Sequence, residues 1–255
     1  MFLCPRTVSS LDYSLILNNA SCVCLFFEIT FDSYAALQLR NFALNLTFIA
    51  VTRVTQSIDS TGVAASAHAM AIQTFQIGGI VLLALSTVAQ TMVPSEMAGK
   101  KVNGSNSEIG DVFAGKAAAD RLMRWGLILG IALGLLQIAV LPLLQKTTPL
   151  PEVRQAALVP SYLACLYQMI NGLVFIGEGI MVACGNFLYL SLSTIVATVL
   201  TNFALNSFPQ TYGLTGVWMS FGIFNTSRLL GVWLHQKNIA PWSKRILSKE
   251  MDKES

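Results

Sequence analysis

A single acidic residue, Glu178, lies in the apolar stretch GLVFIGEGIMVACGNF at residues 172–187. The segments on either side, 155–177 and 179–227, contain no Asp, Glu, Lys or Arg. An ionised carboxylate in such surroundings is costly, so acids of this kind are rare and often mark ion pathways. A carboxyl with raised proton affinity could take up and release protons near neutral pH. We therefore predict that Glu178 gates or couples ion movement; the structural alternative is that it accepts hydrogen bonds from a neighbouring helix, for example from Arg228.

A second group of polar residues interrupts the apolar segment at residues 62–93. It consists of His68, Gln73, Gln76 and Gln90. Polar side chains at membrane depth face a cavity or a neighbouring helix. We predict that these four residues line a cavity, and hydrogen bonding between helices is the alternative interpretation.

Other kinds of chemistry lack the residues they need. The five cysteines and two histidines have no zinc-site spacing, and no Ser-His-Asp set or phosphate-binding loop is visible. A net charge of +3 is too small for a nucleic-acid surface. The sequence therefore predicts a protein that is not an enzyme and has no catalytic residue, no metal, no cofactor and no nucleic-acid partner.

The composition predicts the elements that must position these residues. The chain is 54% hydrophobic and only 11% charged, and its mean hydropathy is +0.60. Charge-free runs long enough to cross a bilayer occupy most of it. Cutting the runs at turn signals predicts an all-α membrane protein with six transmembrane helices. The predicted spans are residues 35–57, 62–93, 119–145, 156–184, 187–207 and 214–235.

The distribution of basic residues predicts the orientation of these spans. Six alternating spans place three basic residues on one side, Arg53, Lys146 and Arg154. The other side receives twelve: Arg6, Arg40, Lys100, Lys101, Lys116, Arg121, Arg124, Lys237, Lys244, Arg245, Lys249 and Lys253. Because basic loops stay on the cytoplasmic side, both termini are predicted to be cytosolic, or stromal in a plastid membrane. Arg40 and Arg53 are interpreted as interface anchors at the two ends of the first span.

The chain accordingly divides into three predicted parts. Residues 1–34 form an N-terminal segment of uncertain structure, residues 35–237 form the six-helix transmembrane region, and residues 238–255 form a basic cytoplasmic tail. No secretory signal or transit peptide is recognisable in the first part.

Several stretches resemble one transporter family. They are LRNFALNLTFIAVTRVTQSIDSTGVAASAHAMAIQTFQIGGIVLLALSTVAQTMVP at residues 39–94, RWGLILGIALGLL at 124–136, QMINGLVFIGEGIMVACGNFLYL at 168–190 and GLTGVWMSFGIFNTSRLLGVWLH at 213–235. In this order they resemble the second half of MATE (multidrug and toxic compound extrusion) transporters, most closely the DinF-like branch with its plant and algal plastid relatives.

The resemblance implies a fold and a set of site residues. MATE transporters have twelve helices in two six-helix lobes around a central cavity, and this chain resembles the C-terminal lobe alone. Glu178 matches an acid of the DinF-like pattern, and Asn171 stands where the NorM-like branch has a cation-linked Asp, so both are candidate coupling or gating residues. Leu83 and Asn186 replace further acids of the DinF-like pattern.

The same resemblance implies the function. We expect a secondary transporter in the plasma membrane or the plastid envelope that exports small organic compounds in exchange for protons or sodium. Its partners would be the lipid bilayer, the organic substrate and a missing or separate N-terminal lobe. The alternative is a non-transporting membrane interaction protein, or a degenerate half-transporter, that associates with full-length relatives.

Overall fold

The computed structural model describes residues 20–98 and 111–243, with side chains from Phe31 onward. The long helices of this part are α1 Ala20–Gln56, α2 Val63–Ala98, α3 Val112–Gln145, α4 Pro151–Ala183 and α5 Phe187–Leu234, which continues into a π-helical turn, His235–Ile239. Neither range contains a β-strand. The all-helical class predicted from the sequence is confirmed.

Capping aspartates and a proline mark where three of the helices begin. Asp59 accepts backbone hydrogen bonds from Ala64 at 2.8 Å and from Gly62 at 2.7 Å, which satisfies donors at the start of α2. These bonds, the one from Ala64 first, hold the pKa of Asp59 below its ordinary value. Asp111 caps α3 through its side chain, and Pro151 occupies the first turn of α4, where its missing N–H is tolerated.

Helix α5 is a helical hairpin. Its 48 residues would extend about 70 Å if straight, far more than the roughly 30 Å of a bilayer core. Gly213 has φ 53° and ψ −133°, a conformation that favours glycine, and it breaks the helix after Pro209. The chain then reverses direction, which brings the two ends of α5 together: the Tyr189 hydroxyl donates to the Gly231 carbonyl at 2.9 Å. We call residues 187–212 the first arm of α5 and residues 214–234 the second arm.

Contacts between helices show that the segments alternate in direction. In α2 and α4, Phe75 meets Gln168 and Ser86 faces Gly179, so these helices are parallel. The second arm of α5 is parallel to α4 as well, because Tyr167 donates to the Trp218 carbonyl and Gly177 faces Val232. These three segments run one way.

The remaining segments run the opposite way. In α3 and α4, Gly126 faces Gly172 and Gly134 faces Cys165, which makes these helices antiparallel. A Cβ on Gly126 would lie 2.5 Å from the Gly172 carbonyl oxygen, so the two backbones are in contact. Glycine permits this close approach, as in other membrane helix pairs. Helix α1 is parallel to the first arm, because Ser191 donates to the Ala36 carbonyl and, further along both segments, Thr47 donates to Thr198.

The surface is that of a membrane protein. Large apolar side chains are exposed along the bundle, including Phe42, Ile80, Trp125 and Phe203. Within the described part, α2, α3, α4 and the stretch Phe187–Ser243 are long and apolar enough to cross a bilayer. With the hairpin counted as two arms, α1 to α5 provide six alternating segments.

The predicted spans overlap these segments, but several boundaries differ: α2 ends at Ala98 rather than 93, α3 begins at Val112 rather than 119, and α4 begins at Pro151 rather than 156. The largest difference is at the start of α1. Helix α1 begins at Ala20, because residues 20–34 contain no glycine or proline that would end it. It therefore takes in part of the segment left uncertain in the sequence, and Arg40 lies inside the helix. Residues 1–19, the basic loop at 99–110 and the tail from 244 lie outside the described residues.

Candidate functional site

Glu178 is the centre of a three-residue ion cluster that joins three segments. Arg228, on the second arm of α5, donates from Nε to Oε1 at 2.7 Å and from Nη2 to Oε2 at 2.8 Å. Arg40, on α1, donates from Nη2 to Oε2. The contact with Arg228 is the one that the structural alternative predicted. Both carboxylate oxygens are therefore bonded to guanidinium groups.

Apolar and aromatic side chains surround the Arg228 end of the cluster. The guanidinium carbon of Arg228 lies 5.6 Å from the ring centre of Phe175 and 5.1 Å from that of Phe224. The side chains of Arg228 and Glu178 are each only 6% exposed. Charge-assisted bonds and cation–π contacts are strongest in such water-poor surroundings. The arrangement therefore holds the carboxylate in a fixed position between helices.

The position of Arg40 in the structure differs from the predicted one of an anchor at the membrane interface. Arg40 points into the bundle, where it bonds Glu178, and its side chain is 18% exposed. Its Nε has no hydrogen-bond partner, and its Nη1 makes only a long contact of 3.4 Å with Asn41. The sequence signal that could have placed it is charge balance, since an arginine inside a span needs an acid partner.

Asn171 is fully buried in α4, seven residues before Glu178 and on the same face of the helix. Neither its amide nitrogen nor its amide oxygen has a hydrogen-bond partner. Tyr167 and Glu178 both face the second arm of α5, so Asn171 lies between two contact points with that arm. At this level the second arm carries Asn225, whose amide oxygen is also unpartnered. Both asparagines therefore lie, on their own segments, between the Tyr167–Trp218 and Glu178–Arg228 contacts.

The predicted cavity residues of α2 divide into a buried and an exposed set. His68 is buried, with its ring 5.8 Å from that of Trp218 and no partner for Nδ1. Gln73 and Gln76 are exposed and Gln90 is partly exposed. Each helical residue is rotated by about 100° from the one before it, so the three glutamines fall within an arc of about 100° around the axis of α2. The structure thus brings them to one face, and it places His68 in the interior.

Two further glutamines, both buried, connect helices. Gln168 donates to the Phe75 carbonyl at 2.6 Å, and Gln137 donates to the Thr74 carbonyl at 2.8 Å. Gln168 therefore attaches α4 to α2, and Gln137 attaches α3 to α2. This is the hydrogen bonding between helices that was the alternative interpretation for polar residues at depth.

The arrangement carries charge but offers no metal-ligand cluster. Among residues 20–98 and 111–243, no group of three or more His, Cys, Asp or Glu could hold a metal ion. The chemistry available at Glu178 is ion pairing with one net positive charge, since two arginines face one acid.

Comparison with known proteins shows the fold. The chain matches the structure of a MOP superfamily transporter from Pyrococcus furiosus Vc1 with a TM-score of 0.66 and 13% sequence identity. The match covers 81% of this chain and 44% of the transporter, so the chain spans less than half the length of that protein. No protein-family model and no curated protein matches the sequence. The chain has the fold of part of a MOP superfamily transporter.

Proposed function

We propose that this chain is the second lobe of a MATE-type secondary transporter, which exports small organic compounds in exchange for protons or sodium once a first lobe is present. The observation that carries the proposal is the match of most of this chain to less than half of a MOP superfamily transporter, the superfamily that includes MATE proteins. Folds of this kind alternate access by moving one bundle against another around a central site. A single lobe therefore needs a partner.

The exposed glutamine face of α2 supports this proposal. Gln73 and Gln76 would face hydrocarbon if the lobe stood alone, which is unfavourable for uncompensated amide groups. Opposite a second lobe, the same face would line a polar cavity. The missing or separate N-terminal lobe is thus the proposed partner, and Gln73, Gln76 and Gln90 are the proposed cavity residues.

A transport assay tests the proposal. The chain alone and the chain joined to a DinF-like first lobe are expressed in an efflux-deficient host, and membrane amounts are matched by immunoblot. Export of a panel of cationic and anionic fluorescent dyes is measured. We expect export only by the joined protein. No export by a joined protein that is present in the membrane, beside a working full-length transporter, would reject the proposal.

The coupling role of Glu178 has a matched control on the same helix. Glu178→Gln is compared with Glu152→Gln, which changes an exposed acid in the first turn of α4. We expect the first variant to lose gradient-driven export and the second to keep it. Full gradient-driven export by the Glu178→Gln protein would remove the coupling role and leave the two-lobe proposal intact.

One observation favours the alternative, a non-transporting membrane interaction protein. Both oxygens of Glu178 are already bonded to arginines, as in a structural ion cluster. A protein of this second kind would associate with a full-length relative without exporting anything. Co-purification of the chain with such a relative, with export unchanged by its presence, would support this function.

A further inference from the structure

The ion cluster contains more positive than negative charge. Arg228 satisfies Glu178 with two hydrogen bonds of ordinary length, which makes a complete carboxylate–guanidinium pair. Arg40 adds a second guanidinium to the same carboxylate. Within the described residues Arg40 has no other acid partner. Among the residues whose side chains are described, no acid balances the second positive charge of the cluster.

An unbalanced charge within a membrane-spanning bundle calls for a counter-ion or water. Arg40 retains donors for such a partner. The accessible donor is Nη1, which is bonded to Asn41 only at 3.4 Å, whereas the unpartnered Nε is itself buried. A side-chain exposure of 18% makes Arg40 the accessible member of the cluster, beside 6% for both Glu178 and Arg228.

The cluster lies toward one end of the bundle. Glu178 is close to the end of α4, and Arg228 is close to the end of the second arm of α5. The starts of α3 and of the first arm lie at the same end, where the sequence predicts the cytosolic side. A ligand would reach Arg40 from that side.

We propose that Arg40 binds an oxyanion, which is the carboxylate or phosphate group of a soluble anion or of a lipid headgroup. Guanidinium groups are planar donors that match the geometry of these groups. Because the Glu178–Arg228 pair behind Arg40 is neutral, the charge of Arg40 leaves the site positive, and a cationic ligand is repelled. Arg228 stays bonded to Glu178 and does not itself take the ligand.

Variants on one helix isolate the contribution of Arg40. Arg40→Gln leaves Glu178 paired with Arg228, so this variant retains a neutral, bonded pair and should fold. Arg53→Gln is the matched control, because Arg53 is an exposed arginine near the end of α1. Folding of each variant is checked by circular dichroism and gel filtration.

Two probes distinguish the sources of the oxyanion. Inorganic phosphate is titrated against the purified full-length chain in phosphatidylcholine nanodiscs at constant ionic strength, and the rise of the thermal unfolding midpoint is recorded. In a second experiment, native mass spectrometry measures how much phosphatidylglycerol the chain retains compared with phosphatidylcholine. We expect saturable binding of at least one probe, weakened about tenfold or more in Arg40→Gln by loss of a charge-assisted hydrogen bond and unchanged in Arg53→Gln.

Each result decides the proposal. Arg40-dependent binding of phosphate supports a soluble anion, and Arg40-dependent retention of phosphatidylglycerol supports a lipid headgroup. If the unmodified chain binds neither probe, or if Arg40→Gln binds both as the unmodified chain does, the oxyanion site is rejected. The test on the unmodified chain needs no variant to fold.

The consequence for transport rests on the proposed function. If the joined two-lobe protein is a transporter, a soluble oxyanion at Arg40 places acidic organic compounds among its substrates. Export of cationic dyes with no Arg40-dependent binding would reject the oxyanion site alone. Arg40-dependent phosphate binding by a chain whose joined form exports nothing would reject the transport function alone.

Discussion

Removing the charge of Glu178 should destabilise the bundle more than removing that of Arg40. Glu178→Gln leaves the buried guanidinium of Arg228 and the partly exposed guanidinium of Arg40 without a counter-charge. Breaking a buried ion pair in this way costs about 3–5 kcal/mol. Arg40→Gln removes one charge-assisted hydrogen bond from a partly exposed arginine, and leaves Glu178 bonded to Arg228. That loss should be about 1.5–3 kcal/mol.

The measurement is equilibrium unfolding of the purified chain in mixed micelles with increasing sodium dodecyl sulfate, followed by helical circular dichroism. Glu152→Gln, an exposed acid on the same helix, should change the free energy of unfolding by no more than about 0.5 kcal/mol. The double variant Glu178→Gln with Arg40→Gln contains one unpaired guanidinium instead of two. It should therefore be no less stable than Glu178→Gln alone.

Two results would refute this reasoning. One is a Glu178→Gln protein as stable as Glu152→Gln, because loss of a buried carboxylate with three guanidinium hydrogen bonds should lower the free energy of unfolding. The other is additive loss in the double variant, because additivity would mean that Glu178 and Arg40 do not interact.

Three further predictions concern packing, capping and orientation. Gly172→Leu should separate α3 from α4, because even a Cβ at this position would overlap the Gly126 carbonyl oxygen; a lower unfolding midpoint by circular dichroism checks it. The lowered pKa of Asp59 should stabilise the start of α2 fully above the ordinary value of 3.8, and this stabilisation is lost as the pH falls through the lowered value. Asp59→Asn should reduce that acid sensitivity, measured by unfolding as a function of pH. Asn103 begins an Asn-Gly-Ser glycosylation sequon in the predicted cytosolic loop and should carry no glycan after insertion into microsomes. A glycosidase-sensitive increase in apparent mass would show that the predicted orientation is inverted.

The segments of the fold were predictable because the bilayer imposes a simple rule on sequence. Long charge-free runs and turn residues place α2 to α5, and the turn residues FPQTYG at 208–213 correctly predict the break at Gly213. The start of α1 was not predictable in the same way. Residues 20–34 are mixed in polarity and lack helix breakers, so hydropathy underestimates the length of that helix.

The site was only half predictable, because pairing across helices depends on packing that no local pattern records. Glu178 stands out as an acid in a charge-free run, and Arg228 as an arginine inside a span. Arg40 also lies inside a predicted span, but it is 138 residues from Glu178 along the chain, and the contact exists only after α1 packs against the bundle. The cavity role of the α2 glutamines stays a prediction.

The ion cluster sets a condition on any coupling role of Glu178. Protonation of this carboxyl in the present arrangement would leave two guanidinium groups facing each other without a counter-charge, at a cost comparable to that of breaking a buried pair. A proton could therefore bind only if α1 moves Arg40 away or if an anion arrives to balance it. In a two-lobe protein this links proton uptake at Glu178 to movement of α1, or to anion binding at Arg40. Export by the joined protein should then lose its dependence on the proton gradient in Arg40→Gln, and Arg53→Gln should retain that dependence. An unchanged proton dependence in Arg40→Gln would show that Glu178 and Arg40 serve only to hold the helices together.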